Sequence, residues 1–96
     1  MFDKMKQLYD LKKQADQLKK ELAQITVEGS GGRGAVKVSM SGEMKIVSLT
    51  ISPDAMDPAR KNKLEEAVRE AVNQGVDNAQ KAAAMKMGDL AKLMGM

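Results

Sequence analysis

The chain predicts an α+β fold with a long amino-terminal helix, a three-stranded antiparallel sheet, and a long carboxy-terminal helix with a short helical tail. Three observations predict it. Apolar residues recur at helical spacing from Leu8 to Ile25. Side chains alternate between two faces from Ala35 to Ser41 and again from Lys45 to Ile51. Asp57-Pro58 then supplies a helix start signal ahead of a run of small apolar residues. The expected boundaries are 1–25 for the first helix, 26–52 for the sheet with a Gly-rich loop at 29–34, 57–87 for the second helix and 88–96 for the tail, all in one domain.

No Gly or Pro interrupts Asp3 to Gln24, and a helix of this length runs roughly 30 Å. Leu8, Leu11, Ala15, Leu18, Leu22 and Ile25 follow one another at intervals of 3, 4, 3, 4 and 3, which is an a/d heptad seam. The seam suits packing within the domain and coiled-coil pairing equally. In the same register Lys6, Lys13 and Lys20 occupy f, while Lys12 and Lys19 occupy e, so one broad side is a lysine bank. Asp10 and Asp16 lie three or four residues from these lysines, and a solvated face laced with ion pairs is the plain alternative.

Beyond Ile25, the β-branched ITVE reads as a short strand stopped by the glycines from Gly29 to Gly34. Val36, Val38 and Met40 face one way in the next strand, with Lys37 and Ser39 opposite. Ser41-Gly42-Glu43 forms a tight turn, and Val47, Leu49 and Ile51 are expected to face inward, completing a meander with one face free for helices. The glycine run is expected to be the joint where the chain turns from the lysine helix into the sheet. Asp57 is the expected N-cap and Pro58 the first residue of the second long helix. Leu64, Val68, Ala71, Val72, Val76, Ala79 and Ala83 form its apolar face, and Gly75 within it reads as a close-contact point. Leu8, Leu11, Ala15, Leu18 and Leu22, with Val68 and Val72, are the expected core or dimer seam. The methionines from Met85 to Met96 read as packing.

Gly29, Gly31 and Gly34 spell GxGxxG, but the match fails on context. A dinucleotide fingerprint opens a helix, whereas Ala35 to Ser41 alternates like a strand, and Gly34 is not followed by the Lys and Ser or Thr of a phosphate loop. The chain has no Cys and no His, which removes disulfides, thiol nucleophiles, histidine bases and the usual zinc sites. Glu65, Glu66 and Glu70 lie among bases on the outer side of a helix and form no catalytic pair. The chain is accordingly not expected to be an enzyme, nor to need a cofactor, a metal or a small-molecule substrate. No apolar run reaches membrane-spanning length, so a soluble, cytoplasmic protein is expected.

With 96 residues, one Phe, one Tyr, no Trp and nine Met, the core is thin and invites a partner subunit. Sixteen Lys and Arg against thirteen Asp and Glu give a net charge of +3, so the placement of charge matters more than its sum. Lys6, Lys12, Lys13, Lys19 and Lys20 are the leading candidates to contact an anionic partner, with Arg60, Lys61, Lys63, Lys81 and Lys86 as secondary ones. Few aromatics disfavour stacking on unpaired bases, and contact with the phosphates of double-stranded DNA fits better. The competing class is a coiled-coil protein-interaction adaptor, in which the lysines only solubilise the helix.

Thr26-Val27-Glu28-Gly29, the glycine cluster ahead of Ala35-Val36-Lys37-Val38, the Ser41-Gly42 turn, Ile51-Ser52-Pro53, and Ala71-Val72-Asn73 running on to Lys86-Met87-Gly88 resemble the YbaB/EbfC family of bacterial nucleoid-associated proteins. The resemblance covers nearly the whole chain. It implies a homodimer with projecting helices, a cytoplasmic and nucleoid-associated location, and DNA binding that alters DNA conformation, with effects on gene expression, nucleoid organisation and DNA protection. The carboxyl end, LAKLMGM, lacks the proline that many members carry there.

Overall fold

A computed structural model describes residues 2–93. It contains α1 (Phe2–Gln24), β1 (Thr26–Gly31), β2 (Val36–Ser41), β3 (Ile46–Ile51), two 3-10 turns (Pro53–Met56 and Pro58–Arg60) and α2 (Lys61–Leu93). The sheet is antiparallel in the order β1-β2-β3. The molecule measures 66 × 21 × 17 Å, because α1 and the distal part of α2 extend well beyond the sheet.

The core is the line where α2 crosses β1 and β2. Val36, Val38 and Met40 are buried on the β2 face, as their alternation predicts; Val36 and Val38 cluster with Ala67 and Ala71 of α2, and Met40 lies beside Gly75. Ala67, Ala71, Gly75 and Ala79 recur every fourth residue and form a stripe of small side chains, which lets helix and strand backbones touch. Opposite them stand Gly29 and Gly31. A β-carbon added at Gly29 would lie 2.5 Å from the Gly75 nitrogen, and one at Gly31 would overlap the Ala67 carbonyl. Gly75 is therefore the close-contact point its position suggests.

This packing corrects the expected glycine loop. β1 does not stop at Glu28 but continues through Gly31, because Gly29 and Gly31 are the residues α2 can approach. The reversal occupies residues 32–35, with left-handed φ values at Gly32 (60°), Arg33 (59°) and Gly34 (89°). It connects β1 to β2 and is not the joint between helix and sheet. That joint is at Ile25, where the Gly42 N–H donates to both the Leu22 carbonyl (3.0 Å) and the Ile25 carbonyl (3.1 Å).

Three further expectations change. Val47 and Leu49 are exposed rather than inward, and Ile51 is half-buried. The pairing shifts between Ser39 and Met40, whose partners are Ser48 and Ile46, so Val47 is left as a bulged residue. α2 covers only β1 and β2, which leaves β3 without a layer above it. In α1, Leu18 and Leu22 are half-buried, but Leu8, Leu11 and Ala15 are exposed, with Leu8 at 67% and Leu11 at 59%. Val68 and Val72 are half-buried on α2, Val68 against the core cluster. Finally, Asp57 caps a 3-10 turn by accepting from the Ala59 N–H at 3.0 Å, the α-helix proper begins at Lys61, and it continues unbroken through Gly88 to Leu93. There is no separate tail at 88; Met94, Gly95 and Met96 lie outside the described residues.

The two edges of the sheet differ. Along β1, the Gln74 Oε1 accepts from the Ser30 N–H (2.7 Å), the Glu70 Oε2 accepts from the Gly32 N–H (3.2 Å), and the Asn78 Nδ2 donates to the Glu28 carbonyl (2.7 Å). Four residues of helix rise about 6 Å and two residues of strand about 6.6 Å, so one helix row keeps step with alternate residues of the strand. The β1 edge is thereby closed to further pairing. At β3, the Ser52 N–H donates inward to the Ala35 carbonyl at 2.7 Å, and alternation directs the backbone groups of Leu49 and Ile51 outward.

Candidate nucleic-acid interface

α1 joins the body only at its carboxyl end, so its lysine bank stands clear of the sheet. The distal part of α2 runs beside the carboxyl end of α1, and the Lys86 Nζ lies 3.7 Å from the Glu21 Oε2, tying the two helices into one arm. Lys81 is also on this stretch and exposed. The structure thus gathers Lys6, Lys12, Lys13, Lys19, Lys20, Lys81 and Lys86 on a single projection.

Charge is divided unevenly between arm and body. Residues 2–24 and 80–93 hold nine basic and five acidic side chains, while residues 25–79 hold seven and eight. All the basic residues of the arm are Lys; Arg33, Arg60 and Arg69 are all in the body. Lysine offers a mobile point charge, suited to phosphates in any register, where arginine offers a planar fork suited to bidentate recognition. Among the described residues, Lys12, Lys13, Lys19 and Lys20 form no ion pair.

The secondary cluster has a different setting. Gly31 packs on Ala67 near the start of α2, so Arg60, Lys61 and Lys63 sit at the end of the sheet away from α1. The Lys61 Nζ is 3.9 Å from the Glu65 Oε1. Arg33, Arg60 and Lys63 line an open cavity of about 600 Å³ together with Asp54, Glu66 and Glu70, a balanced set of charges. The structure does not bring this cluster to the arm.

One residue of the bank was not named from sequence. Tyr9 occupies heptad position b, which lies between e and f on the helix, and it is 68% exposed amid the lysines. The order of heptad positions around a helix was the signal that could have found it. Among the described residues there is no cluster of acids suited to a metal ion, and no helix is long and apolar enough to cross a membrane.

The structure defines a class of protein with a small α+β body bearing a lysine-rich helical arm. Residues 1–94 match the YbaB/EbfC DNA-binding family. The chain belongs to this family, which is not an enzyme family. It is 42% identical over 79 residues to a nucleoid-associated protein of Anaeromyxobacter sp. (strain Fw109-5), covering 82% of this chain and 77% of that one. A nucleoid-associated protein of Pelotomaculum thermopropionicum is 38% identical over 86 residues, covering 90% and 82%. The crystal structure of the uncharacterized protein HP0035 from Helicobacter pylori superposes with a TM-score of 0.65 at 26% identity, covering 91% of this chain and 96% of that one.

Proposed function

We propose that the chain is a cytoplasmic, nucleoid-associated protein that binds double-stranded DNA through backbone phosphates with little sequence preference and alters DNA conformation. Nucleoid organisation, gene expression and DNA protection are the processes such binding would reach. The observation that carries the reading is the concentration of exposed lysines on the arm, led by Lys6, Lys12, Lys13, Lys19 and Lys20, with Lys81 and the Glu21-paired Lys86 beside them. Arg60, Lys61 and Lys63 take a lesser part because carboxylates surround them. The names of the relatives support the location. Gel retardation of unrelated duplexes should give similar affinities that fall with salt at a log–log slope of about −0.9 per phosphate neutralised. A salt-insensitive complex overturns the reading.

The functional unit is a homodimer in this proposal. The open edge of β3 carries no charge from Ile46 to Ser52, and its exposed Ile46, Val47 and Leu49 lie next to exposed Met44. Antiparallel pairing of two such strands about a two-fold axis is self-complementary, and it doubles the lysine arms on one particle. Leu49→Lys should convert a particle of twice the 10.4 kDa chain mass into one of the chain mass, with the helical signal retained, as read by sedimentation and circular dichroism. A variant that keeps the wild-type dimer mass moves the interface elsewhere.

A second reading draws on the uncovered Leu8 and Leu11: a protein-interaction adaptor that docks along this seam. Protein that fails to retard duplex DNA at low salt yet co-purifies with one defined protein favours it.

A further inference from the structure

We infer that Tyr9 is a groove-contacting residue: α1 lies in the major groove of duplex DNA, its two lysine columns reach the phosphates of opposite walls, and the Tyr9 ring meets base edges between them. The inference rests on the DNA-binding reading above and adds to it the groove, the orienting face of α1 and one contact that is not a phosphate.

The geometry follows from the helix repeat. Measured around the α1 axis from Tyr9, Lys20, Lys13 and Lys6 lie about 20°, 40° and 60° to one side, and Lys12 and Lys19 about 60° and 80° to the other. Tyr9 therefore marks the middle of the bank. A helix with its side chains is about 10–12 Å across and the major groove about 12 Å wide, so a helix entering with Tyr9 foremost presents a lysine column to each wall. The one acid on this meridian is Asp16, two turns on, and Lys12, Lys13, Lys19 and Lys20 surround it at three- and four-residue spacing.

The ring has no role within the chain that explains its position. It is 68% exposed, and Tyr forms helices less readily than the Lys and Gln around it. It also lies well off the seam, about 100° from Leu8 and further from Leu11, so pairing of α1 through the a and d positions would leave it outside. An aromatic face with a phenolic hydroxyl can contact a thymine methyl and donate to a base or phosphate acceptor, which lysine cannot combine.

The chain contains a single Tyr and no Trp, so its intrinsic emission comes from one residue. Titrating the full chain with an unlabelled 20-base-pair duplex at low salt should reduce Tyr9 emission at least twofold, in step with gel retardation, after correction with free N-acetyltyrosinamide. Added salt should restore it. Methyl green, which occupies the major groove, should prevent the change, and netropsin, which occupies the minor groove, should not. Tyr9→Ala should lower affinity three- to tenfold at an unaltered salt slope and helical signal, while Tyr9→Phe stays within twofold of wild type. Retardation with unchanged emission, wild-type affinity in Tyr9→Ala, or displacement by netropsin overturns the inference and leaves phosphate binding standing. Loss of retardation by every duplex overturns both.

Discussion

Lys13→Glu combined with Lys20→Glu lowers affinity for every duplex about 30-fold at low salt, equivalent to about 2 kcal/mol. Both lysines are exposed and project from a helix that touches the body only near its root, so the fold and the helical signal remain. Each reversal removes a cation that displaces a counterion from DNA and adds a charge that phosphate repels, so the salt slope also falls by about two contacts. The loss is uniform across sequences, because phosphates carry no sequence information. Reversing Lys61 and Lys63 has the smaller effect, since that end of the body already balances its charges. Gel retardation with both double variants gives the ranking directly, and an unchanged affinity for the first assigns the contact away from α1.

Gly31→Val destabilises the fold by about 3 kcal/mol or more in urea unfolding, through forced overpacking against atoms that cannot move aside. The first β-carbon would collide with the backbone of Ala67 and approach Ala71, at the centre of the helix-sheet contact. Neighbouring glycines provide the scale. At Gly34 a β-carbon meets nothing within 4 Å, but φ is 89°, so Gly34→Ala costs only the strain of a left-handed residue, about 1 kcal/mol. Gly88 also has free space and lies inside α2, so Gly88→Ala should stabilise by up to about 1 kcal/mol. If Gly31→Val unfolds like wild type, α2 does not approach β1 as closely as described.

These glycines also show where sequence reading stops. Read along the chain, Gly29 to Gly34 is a cluster of residues that break strands, and a loop is the natural inference. In space, half of that cluster faces the small stripe of α2, and the absence of side chains is what allows β1 to continue. The information lies in Ala67, Ala71 and Gly75, about forty residues away. The seam of α1 gives the converse case. Its periodicity describes a helix with an apolar face, and the helix is there, but periodicity does not say how much of that face meets another layer. Leu18 and Leu22 do; Leu8 and Leu11 do not.

For the candidate interface, the lysine bank on α1 was readable because five lysines fall in two heptad positions, and the helical repeat alone brings them to one side. The separate setting of Arg60, Lys61 and Lys63 was not. Their distance from the arm depends on α2 running from the 32–35 turn back toward α1.

The sequence by itself determined the elements: the unbroken first helix, the two alternating strands around Ser41-Gly42, and the Asp57-Pro58 start ahead of the second helix. Each rests on periodicity or chemistry within a few residues. Only the tertiary structure decided which faces are covered, which sheet edge is closed, and where the positive charge stands. The hydrogen bonds that join Gln74 and Asn78 to β1, and Glu70 to Gly32 just beyond it, link residues 44, 50 and 38 positions apart, and no local pattern encodes such pairings. They seal one edge and leave β3 open, while the narrow contact at Ile25 and Gly42 holds the lysine arm away from an otherwise nearly neutral body.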